Sequence, residues 1–338
     1  MSDPIVEARE LAAADLLRFE QTLQLALEPQ REYLTETEYQ LYSRGKKLRP
    51  LMLLLCARLN GNGAIELPQK VVNASVALEM LHVATLIHDD IVDVAPVRRG
   101  LKTVYAERGT ETAVLVGDLQ FIQAVRCFAA GIDTQQDMRL VQMVLDAGFK
   151  ICCGELDELM TNPGWNTGVL VSRYFRTVDR KTGSLFGLAC ESGGMLMGAG
   201  KETLMYLSRF GRRFGRAFQI MDDVFDMVKP ETAAGKSPGV DMELGRLSLP
   251  IIYALDELPR DHAIHRVVRR EPHSAEELHR AIEAVVLSNG LLRAYSKARE
   301  MIADALEALH MLKPCPYRDV LTRISEYIVD RGFAQPDS

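Results

Sequence analysis

Two aspartate clusters carry the strongest chemical signal in the chain. The pattern D-D-x-x-D occurs as Asp89, Asp90 and Asp93 in "LIHDDIVD" and again as Asp222, Asp223 and Asp226 in "QIMDDVFD". On a helix the first and last positions of each pattern are four apart, so their carboxylates lie on one face about a turn apart. Like charges repel there, and negative charge near a helix C-terminus opposes the macrodipole. A cation relieves both, and Mg²⁺ suits this donor set because it takes carboxylate, phosphate and water oxygens. With 21 aspartates in 338 residues, chance gives roughly 0.08 such patterns, so two copies argue for metal binding over solvated helix ends.

Basic residues recur near these clusters. "RGKKLRP" brings Lys46, Lys47 and Arg49 to the start of an apolar run; "RRG" gives Arg98, Arg99 and Gly100; "DRKTG" gives Arg180, Lys181, Thr182 and Gly183; "GKSPG" gives Lys236. Forked arginine donors and mobile lysine charges suit diphosphate oxygens. His82 and His88, beside the first cluster, fit either a hydrogen-bonded structural role or a phosphohydrolase with His and Asp metal ligands. The latter leaves the second aspartate cluster unexplained. No P-loop, dinucleotide-binding glycine pattern or Ser-His-Asp signature accompanies them, so direct metal-to-phosphate binding is the chemistry left.

The elements that must position these groups are helical. Apolar residues recur at three and four positions through most of the chain, and no series of alternating strands appears, which predicts an all-α protein. Val72, Val76, Met80, Ala84 and Ile87 form one stripe leading to the first cluster. Phe210, Phe214 and Phe218 form a ridge leading to the second, beside Gly211 and Gly215. Irregular connections are expected at 60–68, 161–168 and 229–250, and the absence of linker composition predicts a single domain. The net charge of -6 argues against a nucleic-acid partner. The six cysteines lack metal-ligand spacing and read as buried, reduced thiols of a cytoplasmic protein. No uncharged apolar run approaches the ~18 residues that span a bilayer, so no transmembrane segment is expected.

In this order, "GKKLRP", "EMLHVATLIHDDIVD", "RRG", "GDLQF", "KTGSLFG", "FQIMDDVFD", "GKSPGVDMELGRLSLP" and "YIVDR" resemble the trans-type polyprenyl diphosphate synthase family over roughly residues 40 to 331. The chain resembles long-chain members such as octaprenyl diphosphate synthases. The resemblance implies an isoprenoid synthase fold, a single helical bundle over 1–338 around a deep cavity, and a homodimer. It implies condensation of an allylic diphosphate with isopentenyl diphosphate. The six aspartates would hold about three Mg²⁺ against the allylic diphosphate, assisted by Arg98, Lys181, Thr182, Gln219 and Lys236. Lys46, Arg49, His82 and Arg99 would bind isopentenyl diphosphate, with Phe218 near its alkene. Three positions depart from the family: Arg246 stands for its lysine, Ser248 for its threonine and Glu158 for its glutamine.

Product length is expected to depend on the turns preceding the first cluster, at Leu81, Ala84 and Thr85. One helical turn rises about 5.4 Å, close to one isoprene unit. Short-chain members of the family place an aromatic residue here, whereas Ala84 and Thr85 are small. This predicts products of roughly C30 to C50, shortened by Ala84→Phe, with Gln120, Phe121 or Gln123 as the floor. The rival readings are a C15–C20 synthase, a class I terpene cyclase, and a non-catalytic subunit of a heteromeric synthase.

Overall fold

The computed structural model describes residues 3–61, 64–98, 100–130, 134–228, 242 and 244–330. Arg99, Lys236 and most of the expected 229–250 connection lie outside the described residues. The helices are α1 (Pro4–Leu11), α2 (Ala13–Leu27), α3 (Glu36–Ser43), α4 (Leu48–Asn60), α5 (Gln69–Val92), α6 (Val104–Arg108), α7 (Thr110–Ala129), α8 (Gln135–Leu159), α9 (Thr167–Val178), α10 (Ser184–Leu196), α11 (Lys201–Val228), α12 (Leu249–Glu257), α13 (Ala263–Val268), α14 (Ala275–Leu287), α15 (Gly290–His310) and α16 (Pro316–Asp330). Among the described residues the only strands are β1 (Val97–Arg98) and β2 (Leu101–Lys102), an antiparallel hairpin. The all-α expectation holds.

The chain divides into two compact units. One comprises Met1–Asp146, Leu185–Ser208 and Leu309–Thr322; the other comprises Ala147–Ser184, Arg209–Ala308 and Arg323–Ser338. The first unit is organised around α5, which packs most extensively against α7 and then against α4 and α2. The expected single stripe understates this helix. Val71, Val72, Ala74, Val76, Ala77, Leu78, Met80, Leu81, Val83, Ala84 and Ile87 are all buried, so it is covered on nearly every side. In the second unit α12, α13 and α14 close a core of Met227, Ile251, Ile264, Val267, Val268, Ala281 and Val285.

Helix ends follow their sequence signals. Asp3 caps α1 by accepting from the Ile5 N–H at 2.8 Å, and Pro4 occupies its first turn, where no N–H is needed. Asn166 caps α9 and Ser274 with Glu277 forms a capping box on α14. The close of α5 is less ordinary. The Val94 N–H reaches the Ile91 carbonyl at 3.1 Å and the Ala95 N–H reaches that of Asp90 at 2.9 Å, a Schellman end whose left-handed position holds Val94 at φ +51. Glycine normally fills such a position, and a β-branched residue there is strained.

One expectation needs correction. Only Cys56 and Cys190 are buried; Cys152 is exposed, and Cys127, Cys153 and Cys315 are half-buried, because α7, α8 and the α15–α16 turn each turn these positions toward the surface. Two helices, Gln69–Val92 and Thr110–Ala129, are long and apolar enough to cross a membrane by length and composition alone. The apolar window of the first is 72% buried, as befits a core helix, and both helices carry charged residues.

Candidate active site

In the first unit, the first aspartate cluster closes α5. Asp89 and Asp93 are half-buried on one face, whereas Asp90, about 100° around the helix, is 2% exposed. Asp90 accepts a hydrogen bond from Arg98 Nε at 2.7 Å, so the hairpin that follows is tied to the helix it leaves. Asp90 thus fixes an arginine, and Asp89 and Asp93 share a neighbouring face of the helix. Gly100, at φ +78, closes the hairpin. Beside Asp89, the His88 ring fills the place of a Cβ on Gly117 of α7, 2.2 Å from His88 Nε2. That glycine of "GDLQF" lets α7 approach the cluster.

The basic turn before α4 is built from left-handed residues, Gly45 at φ +107 and Lys47 at φ +45. Lys47 pairs with Glu20 at 2.6 Å and lies over the Phe19 ring, while Lys46 is exposed. Arg49 Nη1 stands 3.1 Å from His82 Nε2. Arginine can only donate, so this nitrogen accepts and the imidazole is neutral in that contact. The Arg49 guanidinium also lies 4.7 Å from the centroid of the buried Phe186 ring, a cation–π contact that fixes its plane. Arg49 and His82, 33 positions apart, are therefore neighbours.

In the second unit, the second cluster lies on the last turns of α11. Asp222 is half-buried and Asp226 exposed. Asp223 is engaged from both sides: the Tyr174 hydroxyl donates to its Oδ2 at 2.6 Å and Gln219 Nε2 to its Oδ1 at 3.1 Å. Gln219 Oε1 in turn accepts from Thr182 Oγ1 at 3.0 Å. Burial, and then the Asp223 charge, push the Tyr174 hydroxyl well above the ordinary tyrosine range, so it remains a donor. The middle carboxylate is held here too. Phe210 and Phe214 are fully buried core, whereas Phe218 is half-buried and stacks on Phe214 at 6.4 Å.

Thr182 and Lys181 stand on a π-turn, Asp179–Gly183, between α9 and α10. Such a turn inserts a residue into the helical ladder and redirects its side chains, which is why π-turns recur at functional sites. Lys181 Nζ lies 2.5 Å from Glu155 and 2.7 Å from Glu158 of α8. Asp157 binds Arg173, Arg176 and Arg180 at 3.2, 3.1 and 2.6 Å. Sequence reasoning missed Tyr174, Glu155, Asp157 and Asp179. Its one available signal was the spacing of Arg173, Arg176 and Arg180 by three and four, opposite the acids of "GELDE". Arg246 is half-buried; Ser248 is the N-cap position of α12.

Among the described residues no three His, Cys, Asp or Glu side chains converge as a ready-made metal cage. The presented pairs nevertheless fit Mg²⁺, which is bound through one or two carboxylates with water and substrate phosphate completing its shell. Of the length-setting positions, Leu81 and Ala84 are 0% and 2% exposed and Thr85 is half-buried, its hydroxyl bonded to the His82 carbonyl at 2.7 Å. Gln120 and Gln123 are committed elsewhere. Gln120 bonds Gln30 and the Tyr42 hydroxyl, and Gln123 bonds the Ala26 carbonyl. Phe121 is half-buried.

The chain is similar to known proteins over nearly all of its length. The family described as polyprenyl synthetase matches residues 30–285. A nonaprenyl diphosphate synthase of Mycobacterium tuberculosis is 33% identical over 321 residues, 94% of this chain and 92% of that one. A geranylgeranyl diphosphate synthase of Methanosarcina mazei is 30% identical over 299 residues, 88% and 89% of the two chains. A polyprenyl synthase of Caulobacter crescentus CB15, solved with calcium and isoprenyl diphosphate, superposes with a TM-score of 0.85 at 26% identity, covering 97% of this chain and 98% of the other.

Proposed function

The chain belongs to the polyprenyl synthetase family, and from that premise we propose how its residues serve the family's reaction. It is a prenyltransferase that condenses an allylic diphosphate with isopentenyl diphosphate, head to tail, to build a long all-trans polyprenyl diphosphate. The observation that carries this reading is the pair of aspartate clusters, each closing a long helix with its first and last carboxylates four residues apart on one face.

The allylic C–O bond breaks with its electron pair leaving on diphosphate, the C4 alkene carbon of isopentenyl diphosphate attacks the cation, and loss of a proton restores a double bond. About three Mg²⁺, held by Asp89, Asp93, Asp222 and Asp226, would neutralise the departing diphosphate. Asp90 and Asp223 act by position, holding Arg98 and the Tyr174–Gln219–Thr182 chain. Arg98, Lys181, Thr182, Gln219 and Lys236 bind the allylic diphosphate. Lys46, Arg49, His82 and Arg99 bind isopentenyl diphosphate, and Phe218 lies by its alkene. The proton goes to the released diphosphate, as the family resemblance implies. We assign one synthase domain over 1–338, working in the cytoplasm.

The exposed apolar residues support a homodimer. Leu115 and Ile122 on α7 are 68% and 55% exposed, and Phe149 and Leu156 on α8 are 71% and 56% exposed. Apolar residues left this open at helical spacing mark α7 and α8, each by itself, as contact helices. Phe149→Glu is expected to convert the dimer to monomer in sedimentation velocity; an unchanged sedimentation coefficient refutes this surface.

Product length follows from room beneath the first cluster. Thr85 is the accessible small residue there, so Thr85→Phe is expected to shorten the product by two or more isoprene units, read by mass. Ala84 is packed on all sides, and Ala84→Phe adds an overpacking cost of about 1–3 kcal/mol, visible as a lower thermal midpoint. The reaction itself is tested by supplying the isolated chain with Mg²⁺, an allylic primer and labelled isopentenyl diphosphate. Incorporation without any partner supports the synthase; incorporation only on adding another subunit overturns it, and a cyclised hydrocarbon formed without isopentenyl diphosphate identifies a terpene cyclase.

A further inference from the structure

The ammonium of Lys181 stands between two carboxylates of one helix, Glu155 at 2.5 Å and Glu158 at 2.7 Å. Three residues apart, these acids share a face of α8. The π-turn is seated against that face: a Cβ on Gly154 would lie 2.7 Å from Lys181 Cγ and 2.9 Å from Arg180 Cβ. The neighbouring Asp157 binds Arg180 of the same turn at 2.6 Å. Lys181 is thus fixed in place by packing and by charge together. Its side chain is 24% exposed and that of Glu158 32%, so an arriving anion can reach both.

We propose that Glu158 is a positioning and specificity-determining residue that sets how strongly Lys181 binds the allylic diphosphate. This rests on the assignment of Lys181 to that substrate. The group Glu155, Lys181 and Glu158 carries a net charge of -1 when all are ionised, and an amide at 158 would bring it to zero. A diphosphate must therefore displace a carboxylate partner and approach a second negative charge. The chain compensates with metal-borne charge, which makes its hold on the allylic diphosphate more dependent on Mg²⁺ than glutamine at 158 would. Isopentenyl diphosphate, assigned to Arg49 and His82, is not subject to this competition.

The test is calorimetric titration of the full chain with inorganic diphosphate in the presence of Mg²⁺, comparing the native chain, Glu158→Gln, Lys181→Ala and the double variant. Glu158→Gln is expected to lower the dissociation constant fivefold or more, with no such gain in the Lys181→Ala background. In turnover, the KM for the allylic diphosphate should fall by a similar factor while that for isopentenyl diphosphate stays within twofold. An unchanged or weaker affinity in Glu158→Gln overturns the proposal, as does an equal gain without Lys181. Absence of Mg²⁺-dependent diphosphate binding in the native chain and in Glu158→Gln alike overturns the diphosphate assignment along with it.

Discussion

Asp89→Asn and Asp222→Asn should each lower kcat/KM at least about a thousandfold while leaving the fold intact. A metal clamp on a departing diphosphate supplies several kcal/mol of charge stabilisation, and a loss of about 4 kcal/mol corresponds to roughly three orders of magnitude in rate. Asparagine keeps the size and one oxygen of aspartate but removes the charge that holds the cation. Neither residue is part of the buried core: Asp89 and Asp222 are half-buried at the ends of α5 and α11. Removing negative charge near a helix C-terminus relieves an unfavourable interaction with the macrodipole, so the thermal midpoint should hold or rise slightly. Asp90→Asn should behave differently, since Asp90 is buried and bonded to Arg98. Steady-state kinetics with a thermal melt separates the cases. Activity within tenfold of native for Asp89→Asn would remove it from the metal site.

The second large effect is on stability, far from the clusters. Arg58 of α4 grips Asp15 of α2 with two bonds, Nε to Oδ2 at 2.7 Å and Nη2 to Oδ1 at 2.8 Å, and Asp15 is 2% exposed. The same guanidinium donates to the Ala64 carbonyl at 2.5 Å, fastening the chain beyond α4. The Asp15 hydrogen bond raises the Arg58 pKa, and a guanidinium stays charged with or without such a partner. Asp15→Ala leaves that half-buried charge without its carboxylate partner, which costs up to about 3–5 kcal/mol. The thermal midpoint should fall by roughly 4–7 °C, with kcat per folded molecule unchanged. Replacing both partners, Asp15→Leu with Arg58→Met, should recover much of the loss, because a buried pair is often no better than an apolar one of similar size. If the single variant melts within a degree of native, the pair does not hold α2 to α4.

Much of the helical framework was legible because the apolar period is written residue by residue, and caps such as Asp3 and Asn166 depend on their own local chemistry. The clusters were legible for the same reason: D-D-x-x-D has meaning on a helix without knowledge of the fold. The division of labour within each cluster was not. Spacing makes Asp89, Asp90 and Asp93 look equivalent, whereas Asp90 is distinguished by Arg98, and Asp223 by Tyr174, 49 positions earlier in sequence. The π-turn at Asp179–Gly183 carries no proline or paired glycine to announce it; it is held by tertiary ion pairs from Asp157 and Asp179. Gln120 and Gln123 looked equally suited to a tunnel floor until their hydrogen bonds to Gln30, Tyr42 and Ala26 placed them in the packing of the N-terminal helices.

The central claim is that this chain elongates to a long product because the helix beneath its first aspartate cluster carries no aromatic stop. The direct measurement is the mass of the end product made by the purified chain from farnesyl diphosphate, excess isopentenyl diphosphate and Mg²⁺. The account predicts all-trans products of about C30 to C50. Termination at C20, or failure to extend the C15 primer at all, would contradict it.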